Sequence, residues 1–247
     1  IFLRQGAEDL LVCNLDNDLS AAMAKKAPGK VRTFSRQEKV ESGAWFENDT
    51  IYYNGAPWIK KEDIRIPGIK KGENYMAAIC AVADTIRPET ALQVAREFAG
   101  VEHRIEFVRE VRGVKYYNDA IATSPARAIA GLHSFDQKLI VIAGGYDKKI
   151  PFDAYGEEAC HHVKLLILNG ATAPKLRQAV ENAPSYKDCG IQIAEKATLE
   201  EAVQFAWEQA QEGDIVTLSP VCASFDAYPN FMTKGRAYKE MVHRLSE

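Results

Sequence analysis

The sequence predicts an α/β protein, most clearly a doubly wound, Rossmann-like domain with a mostly parallel sheet in its second part. Three observations predict it. From about residue 101 to 247, short apolar runs alternate with amphipathic stretches. The connections between the runs are of helix length, as parallel pairing with both sheet faces covered requires. Polar, Gly- or Ser-containing stretches follow three of the runs, at Asn118-Asp119, Gly144–Lys149 and Ser219–Phe225. In sheets of this kind ligands bind at the carboxyl ends of strands, so these stretches are the candidates for a site.

Residues 1–100 have a different texture. LLVCNL at 10–15 is a buried strand bounded by Asp9 and Asp16, and 31–34 is a second candidate. AWFENDTIYY at 44–53 splits at Asn48-Asp49, a hairpin signal. An edge strand is expected over 58–66. The alanine-rich stretch 73–86 has helical periodicity, and a second helix runs from Pro88 to Phe98, with Pro88 in its first turn and Gly100 beyond its end. A domain boundary is expected near residue 100. Beyond it, strands are expected near 105–111, 114–118, 138–143, 163–168, 191–194 and 214–219. Helices are expected near 125–133, 152–160, 173–182, 199–212 and 234–245, the fourth opened by a capping box at Thr198–Glu201.

Composition narrows the function classes. The chain has 247 residues, 47% hydrophobic and 26% charged, as in ordinary soluble globular proteins. Its net charge of -3 gives no electrostatic reason to expect a nucleic-acid partner. No apolar run approaches the roughly 20 residues of a membrane span, and no signal peptide opens the chain. The 5 cysteines are widely spaced without a CxxC, which suits reduced structural thiols in a cytoplasmic protein. The chain opens with Ile1 rather than Met, as expected of a piece of a longer protein.

At the candidate site each residue has two readings. Asp119 is either a ligand-binding carboxylate or a loop carboxylate capping Thr123 or Ser124. Thr123-Ser124-Pro125 opens a helix, and one hydroxyl either caps it or leaves its N–H groups for a substrate carboxylate. Gly144-Gly145 permits a tight turn, and Lys148-Lys149 beyond it hold an anion or simply meet solvent. The Ser219–Asp226 stretch offers hydroxyls and backbone N–H groups to an anion. Cys222 lies among apolar residues with no nearby histidine, against a nucleophilic role. None of the 5 histidines has metal-ligand spacing, and no metal-ligating residue is expected in this chain.

Four stretches, GVEHRIEFV, GVKYYNDAIATSPARAIAGL, LIVIAGGYDKKIPFD and LSPVCASFDAYPNFMTKGRAYKEMV, together resemble the Mur ligases, and most closely the glutamate-adding branch. The last is the most specific, since that branch ends its final strand with SPxxASxDxFxNFxxRG. The resemblance covers essentially the whole chain. It implies that residues 1–100 are the later part of an ATP-binding central domain and 101–247 a C-terminal, glutamate-binding domain. It further implies a cytoplasmic, monomeric ATP-dependent ligase of peptidoglycan synthesis, with ATP and Mg2+ as cofactors and D-glutamate and UDP-N-acetylmuramoyl-L-alanine as substrates. By matching positions, Asn74, Arg104 and Asp119 face the nucleotide, and Thr123, Lys148, Ser224, Phe225 and Phe231 face D-glutamate.

The chain departs from the pattern in three places. The His-Asn of GxHNxxN is Lys70-Lys71, where lysine still suits phosphate. A lysine that some members carry in ND-x-K-A-T is Ile121. No GxxxxGK[ST] loop occurs, so the 247 residues alone are expected to lack ligase turnover. Other readings are another Mur ligase, disfavoured because no DNPR-type motif is present, a folylpolyglutamate synthase-like ligase, or a Rossmann-like binding module without catalysis. A nicotinamide dehydrogenase is disfavoured because there is no GxGxxG.

Overall fold

The structure is a computed structural model that describes residues 4–66 and 71–247, Lys71 by its backbone alone. The chain forms two compact units, Ile1–Phe98 and Ala99–Glu247. In the first, β1 (Leu10–Asn14), α1 (Asp18–Ala24), β2 (Lys30–Ser35), β3 (Gly43–Glu47), β4 (Thr50–Tyr53), β5 (Ala56–Lys60), α2 (Lys71–Val82) and α3 (Pro88–Glu97) follow in order. The sheet order is β1-β2-β3-β4-β5, parallel among the first three and antiparallel thereafter. The β3–β4 hairpin turns at Asn48 and Asp49, whose φ values of 46° and 55° match the twist of the flanking strands. Phe34, Ala44, Ile51, Ile59, Met76 and Cys80 form the core of this unit.

Two expectations needed revision in this unit. The edge strand covers 56–60 rather than 58–66. It stops where Lys61 N–H turns to the Asp49 carbonyl (2.8 Å) and Ile64 N–H closes a 3₁₀ turn on Lys61 (3.1 Å). Helix α1 was not expected, although Asn17 caps it by accepting from Ser20 N–H at 3.0 Å.

The second unit contains β6 (Glu106–Val111), β7 (Val114–Asn118), α4 (Pro125–Leu132), β8 (Leu139–Ala143), α5 (Asp153–His162), β9 (Val163–Leu168), α6 (Ala173–Glu181), α7 (Tyr186–Cys189), β10 (Gln192–Glu195), α8 (Leu199–Gln209), β11 (Ile215–Leu218) and α9 (Phe231–Arg244). Its strands lie in the order β10-β9-β8-β11-β7-β6, all parallel except the β6–β7 pair. The period-2 alternation of β-strands divides the core between the two faces. Val141, Ala143, Leu166 and Leu168 pack with residues of α4, α5 and α6, while Ile140, Ile142, Leu165 and Ile167 pack with residues of α8 and α9. The Thr198 hydroxyl accepts from Glu201 N–H (3.1 Å), but the return arm of the capping box reaches Ala197 N–H (3.0 Å), one residue outside the expected partner. Among the described residues no helix is long and apolar enough to cross a membrane.

Strand order decides where the site lies. From β8 the chain steps outward to β9 and β10, then returns through α8 to insert β11 between β8 and β7. The carboxyl ends of β7, β11 and β8 are therefore adjacent at a topological switch point. At the β8 end Gly144 has φ +120°, and a Cβ there would overlap the Asn169 carbonyl oxygen. Gly144→Ala is expected to destabilise the unit by at least about 2 kcal/mol in urea unfolding, because both the backbone angle and the close approach are violated. A loss below about 0.5 kcal/mol would show that the turn relaxes freely.

The β6–β7 hairpin is entered through a turn at His103, 3% exposed. His103 Nδ1 lies 2.9 Å from Asn118 Nδ2, and Glu106 Oε2 accepts from both His103 N–H (2.9 Å) and Asn118 Nδ2 (3.0 Å). With the Asn118 amide as donor, the His103 ring is neutral and carries its proton on Nε2. Burial holds His103 below the ordinary imidazole value of 6.5, outweighing the nearby carboxylates of Glu102 and Glu106. The unfolded chain then binds this proton first, so the contribution is complete above the unfolded value and is lost as pH falls through the lowered one. Stability should therefore fall more steeply from pH 7.5 to 5.5 in the natural protein than in His103→Gln. Equal slopes in parallel denaturant titrations would contradict a buried neutral imidazole.

Candidate anion-binding site at the strand ends

The site forms where three loops leave adjacent strands. After β7, Asp119 N–H bonds the Leu218 carbonyl at the end of β11 (2.8 Å), and the chain turns through Ala120–Thr123 into α4. Ser124 takes the N-cap position of α4 with Pro125 behind it, but no side chain caps the helix. Of the two readings of Thr123-Ser124-Pro125, the hydroxyl cap is therefore the one not seen. The hydroxyl of Thr123 instead lies 3.4 Å from Lys148 Nζ, which also donates to the Thr123 carbonyl at 3.0 Å. A cation thus sits beside an uncapped helix start, where the helix dipole already favours negative charge.

Lys148 reaches this position because the β8 loop is fixed at each step. Gly144 N–H bonds Pro220 O (2.9 Å), Gly145 N–H bonds Thr172 Oγ1 (3.0 Å) and Tyr146 N–H bonds Ala223 O (2.8 Å). A shallow recess remains, walled by Thr123, Tyr146, Lys148, Phe152, Val221 and Cys222 and too tight as it stands to admit a water molecule. Phe152, Val221 and Cys222 make its floor apolar, so the polar groups stand at its rim. Burial pushes the Cys222 thiol up to about 11, and its sulfur lies 3.1 Å from Thr172 Oγ1, which makes it a wall rather than a nucleophile.

The β11 loop adds Ser224 and Phe225. Ser224 is 2% exposed, and its hydroxyl has no hydrogen-bond partner. An orphaned buried hydroxyl costs free energy, and the Ser219 hydroxyl on the same loop is orphaned as well. Phe225 is 65% exposed and meets Tyr146 edge-on, with ring centroids 6.2 Å apart. Phe231, at the start of α9, packs edge-on against His103 at 5.9 Å, not among the residues that wall the recess.

The nucleotide candidates are placed differently. Arg104 is exposed in the turn beside His103. The Asp119 carboxylate is buried, accepts from Ile105 N–H (3.1 Å) and points under α4, where a Cβ on Gly131 would press on its second oxygen. Asp119 therefore joins the Arg104 turn to the floor of α4. Asn74 is exposed on α2 in the first unit. Lys70 lies outside the described residues, and of Lys71 only its place at the start of α2 is described.

Two contributors were not expected. Tyr146 gives the recess its outer aromatic wall. Lys234, 2% exposed, donates to the Gly144 carbonyl at 2.8 Å from inside α9. Its signal was present in the sequence, for Lys234 shares one helical face with Tyr238 and Val242, both buried. Nearby, Glu102, His103 and Glu106 converge, but Lys239 Nζ already bridges the two carboxylates at 2.8 Å each.

Comparison with known proteins bears on the chain as a whole. Residues 103–222 match the family described as "Mur ligase, glutamate ligase domain". The chain is 48% identical, over 99% of its length and 54% of the relative's, to the UDP-N-acetylmuramoylalanine–D-glutamate ligase of Clostridium beijerinckii. It thus spans about half the length of the curated relatives it matches. Among solved structures, the UDP-N-acetylmuramate–alanine ligase of Thermotoga maritima aligns with a TM-score of 0.65 at 14% identity, covering 95% of this chain and 52% of that one. The bifunctional folylpolyglutamate synthase/dihydrofolate synthase of Yersinia pestis aligns with a TM-score of 0.64 at 13% identity, covering 96% and 54%. Those two likenesses speak for the fold; the sequence matches go further, and residues 103–222 are a Mur ligase glutamate ligase domain.

Proposed function

We propose that this chain supplies the D-glutamate-binding part of an ATP-dependent ligase. That ligase joins the D-glutamate amine to the alanine carboxylate of UDP-N-acetylmuramoyl-L-alanine. One observation carries the reading most: Lys148 Nζ is held within 3.0–3.4 Å of Thr123 at the uncapped start of α4. The relatives' printed name supports the choice of D-glutamate over other amino acids.

In this reading Lys148 pairs with one carboxylate of D-glutamate, a charge-assisted contact, while Thr123 and the first N–H groups of α4 complete its hydrogen bonds. The Ser224 hydroxyl gains the partner it lacks. Phe225 and Tyr146 cover the aliphatic part, and Phe231 supports the site from the His103 side. The amino group is thereby presented to a carboxylate activated as an acyl phosphate. Its attack forms a C–N bond, and the tetrahedral intermediate expels inorganic phosphate, with the amine proton passing to solvent or a base. The activating phosphoryl group comes from ATP, and the exposed guanidinium of Arg104 suits phosphate because it is always charged and forked. Mg2+, when bound, neutralises phosphate charge. Glu102 and Glu106 already hold Lys239 and the Asp119 carboxylate is turned inward, so no ligand for it is assigned to this chain.

The test uses a full-length chimaera that joins the first part of the Clostridium beijerinckii ligase to this chain. Lys148→Ala should raise KM for D-glutamate about 10–100-fold, with KM for ATP nearly unchanged. An effect confined to ATP would contradict the assignment.

A further inference from the structure

We infer that His133, Glu158 and His162 form a binding site for a divalent transition metal, of which zinc is the best match. Helix α4 ends at His133, its C-cap. Glu158 and His162 lie four residues apart on α5, hence on one face of that helix. α4 and α5 pack side by side, bringing the two imidazoles to a centroid separation of 4.7 Å with their planes tilted by 41°. Both rings direct Nε2 at the same carboxylate oxygen, Glu158 Oε2, from 2.6 Å and 3.6 Å. One donor atom from each residue lies within 4.8 Å of the others.

These distances suit a metal. With bonds of about 2.0–2.1 Å at tetrahedral angles, donors around zinc stand about 3.3 Å apart. The observed separations bracket that value, so small side-chain rotations admit the ion. It would replace the proton now held between His133 and Glu158. Side-chain exposures of 39% for His133, 33% for Glu158 and 31% for His162 leave the cluster open to solvent, so water can complete the coordination. Two imidazoles and one carboxylate suit zinc, cobalt or nickel, whereas Mg2+ prefers an all-oxygen shell. The other convergent trio, Glu102, His103 and Glu106, contrasts with this one because Lys239 already bridges its carboxylates.

The position gives the metal a mechanical consequence. It ties the carboxyl ends of α4 and α5 together, and the opposite ends of those helices, at Pro125 and Phe152, line the recess. The site is independent of the proposed ligase reading, since none of its three residues lies at the strand ends.

The experiment titrates the untagged 247-residue chain, stripped with a chelator, with Zn2+ by calorimetry and with Co2+ by absorption. One equivalent should bind, Co2+ should give the intense visible bands of tetrahedral coordination, and millimolar Mg2+ should not compete. Zn2+ at a hundredfold excess over Kd should raise Tm by at least about 4 °C. His133→Ala and His162→Ala should each weaken binding at least tenfold, while Cys189→Ser, which removes the one cysteine thiol that is not fully buried, leaves it unchanged. Circular dichroism checks that the variants fold. No saturable binding by the natural chain, or unchanged affinity in the folded His133→Ala/His162→Ala double variant, would overturn the inference.

Discussion

The second unit depends on one buried cation. Lys234 places its ammonium inside the protein, a cost of several kcal/mol per ion unless hydrogen bonds and charge compensate. Here Nζ donates to the Gly144 carbonyl, and Asp226 attracts it from the β11 loop, while burial holds its pKa down. The bond pins α9 to the turn that follows β8. That turn is also tied to β11 through Pro220 and Ala223, and to the start of α6 through Thr172. The path from Gly144 to Lys148 is fixed by these contacts, and so is the place where the Lys148 ammonium meets Thr123. The cation proposed to bind substrate is held in position by a structural one.

The same logic explains why the loops carry function while the strands carry stability. Strands β8, β9 and β11 are almost wholly buried, and their side chains divide between two cores. Nothing on them is available to a ligand. Polar groups gather where the ladder ends, and most are spent at once: Asn118 on His103 and Glu106, Asp119 on Ile105, Thr172 on Gly145. What remains includes the uncapped start of α4, the orphaned Ser224 hydroxyl and Lys148, the groups that the proposed D-glutamate site would use.

Much of this was legible in the sequence, and the reasons differ by element. The strands of the second unit stood out because apolar runs such as LIVIA and VKLLIL end in Gly or Asn, and the structure places them within one or two residues. The hairpin at Asn48-Asp49 was legible because two adjacent residues with positive φ favour those side chains. Helices α1 and α7 were not legible, since they are short and bury no residue, leaving no periodicity to detect. The strand-end loops were legible as a set, but not how their hydroxyls are used. Whether Ser224 bonds a neighbour or waits for a ligand depends on three loops meeting in space. The pairing of Asn118 with His103 and the meeting of His133 with His162 likewise arise only once helices and strands have packed.

The Lys148 ammonium as anchor for a D-glutamate carboxylate is tested most directly by a crystal structure of the full-length chimaera with D-glutamate bound. The account predicts one carboxylate within about 3 Å of Lys148 Nζ, at charge-assisted hydrogen-bond distance, and beside Thr123 at the start of α4. D-glutamate seated with both carboxylates beyond about 5 Å from that nitrogen, outside any direct hydrogen bond, would contradict it.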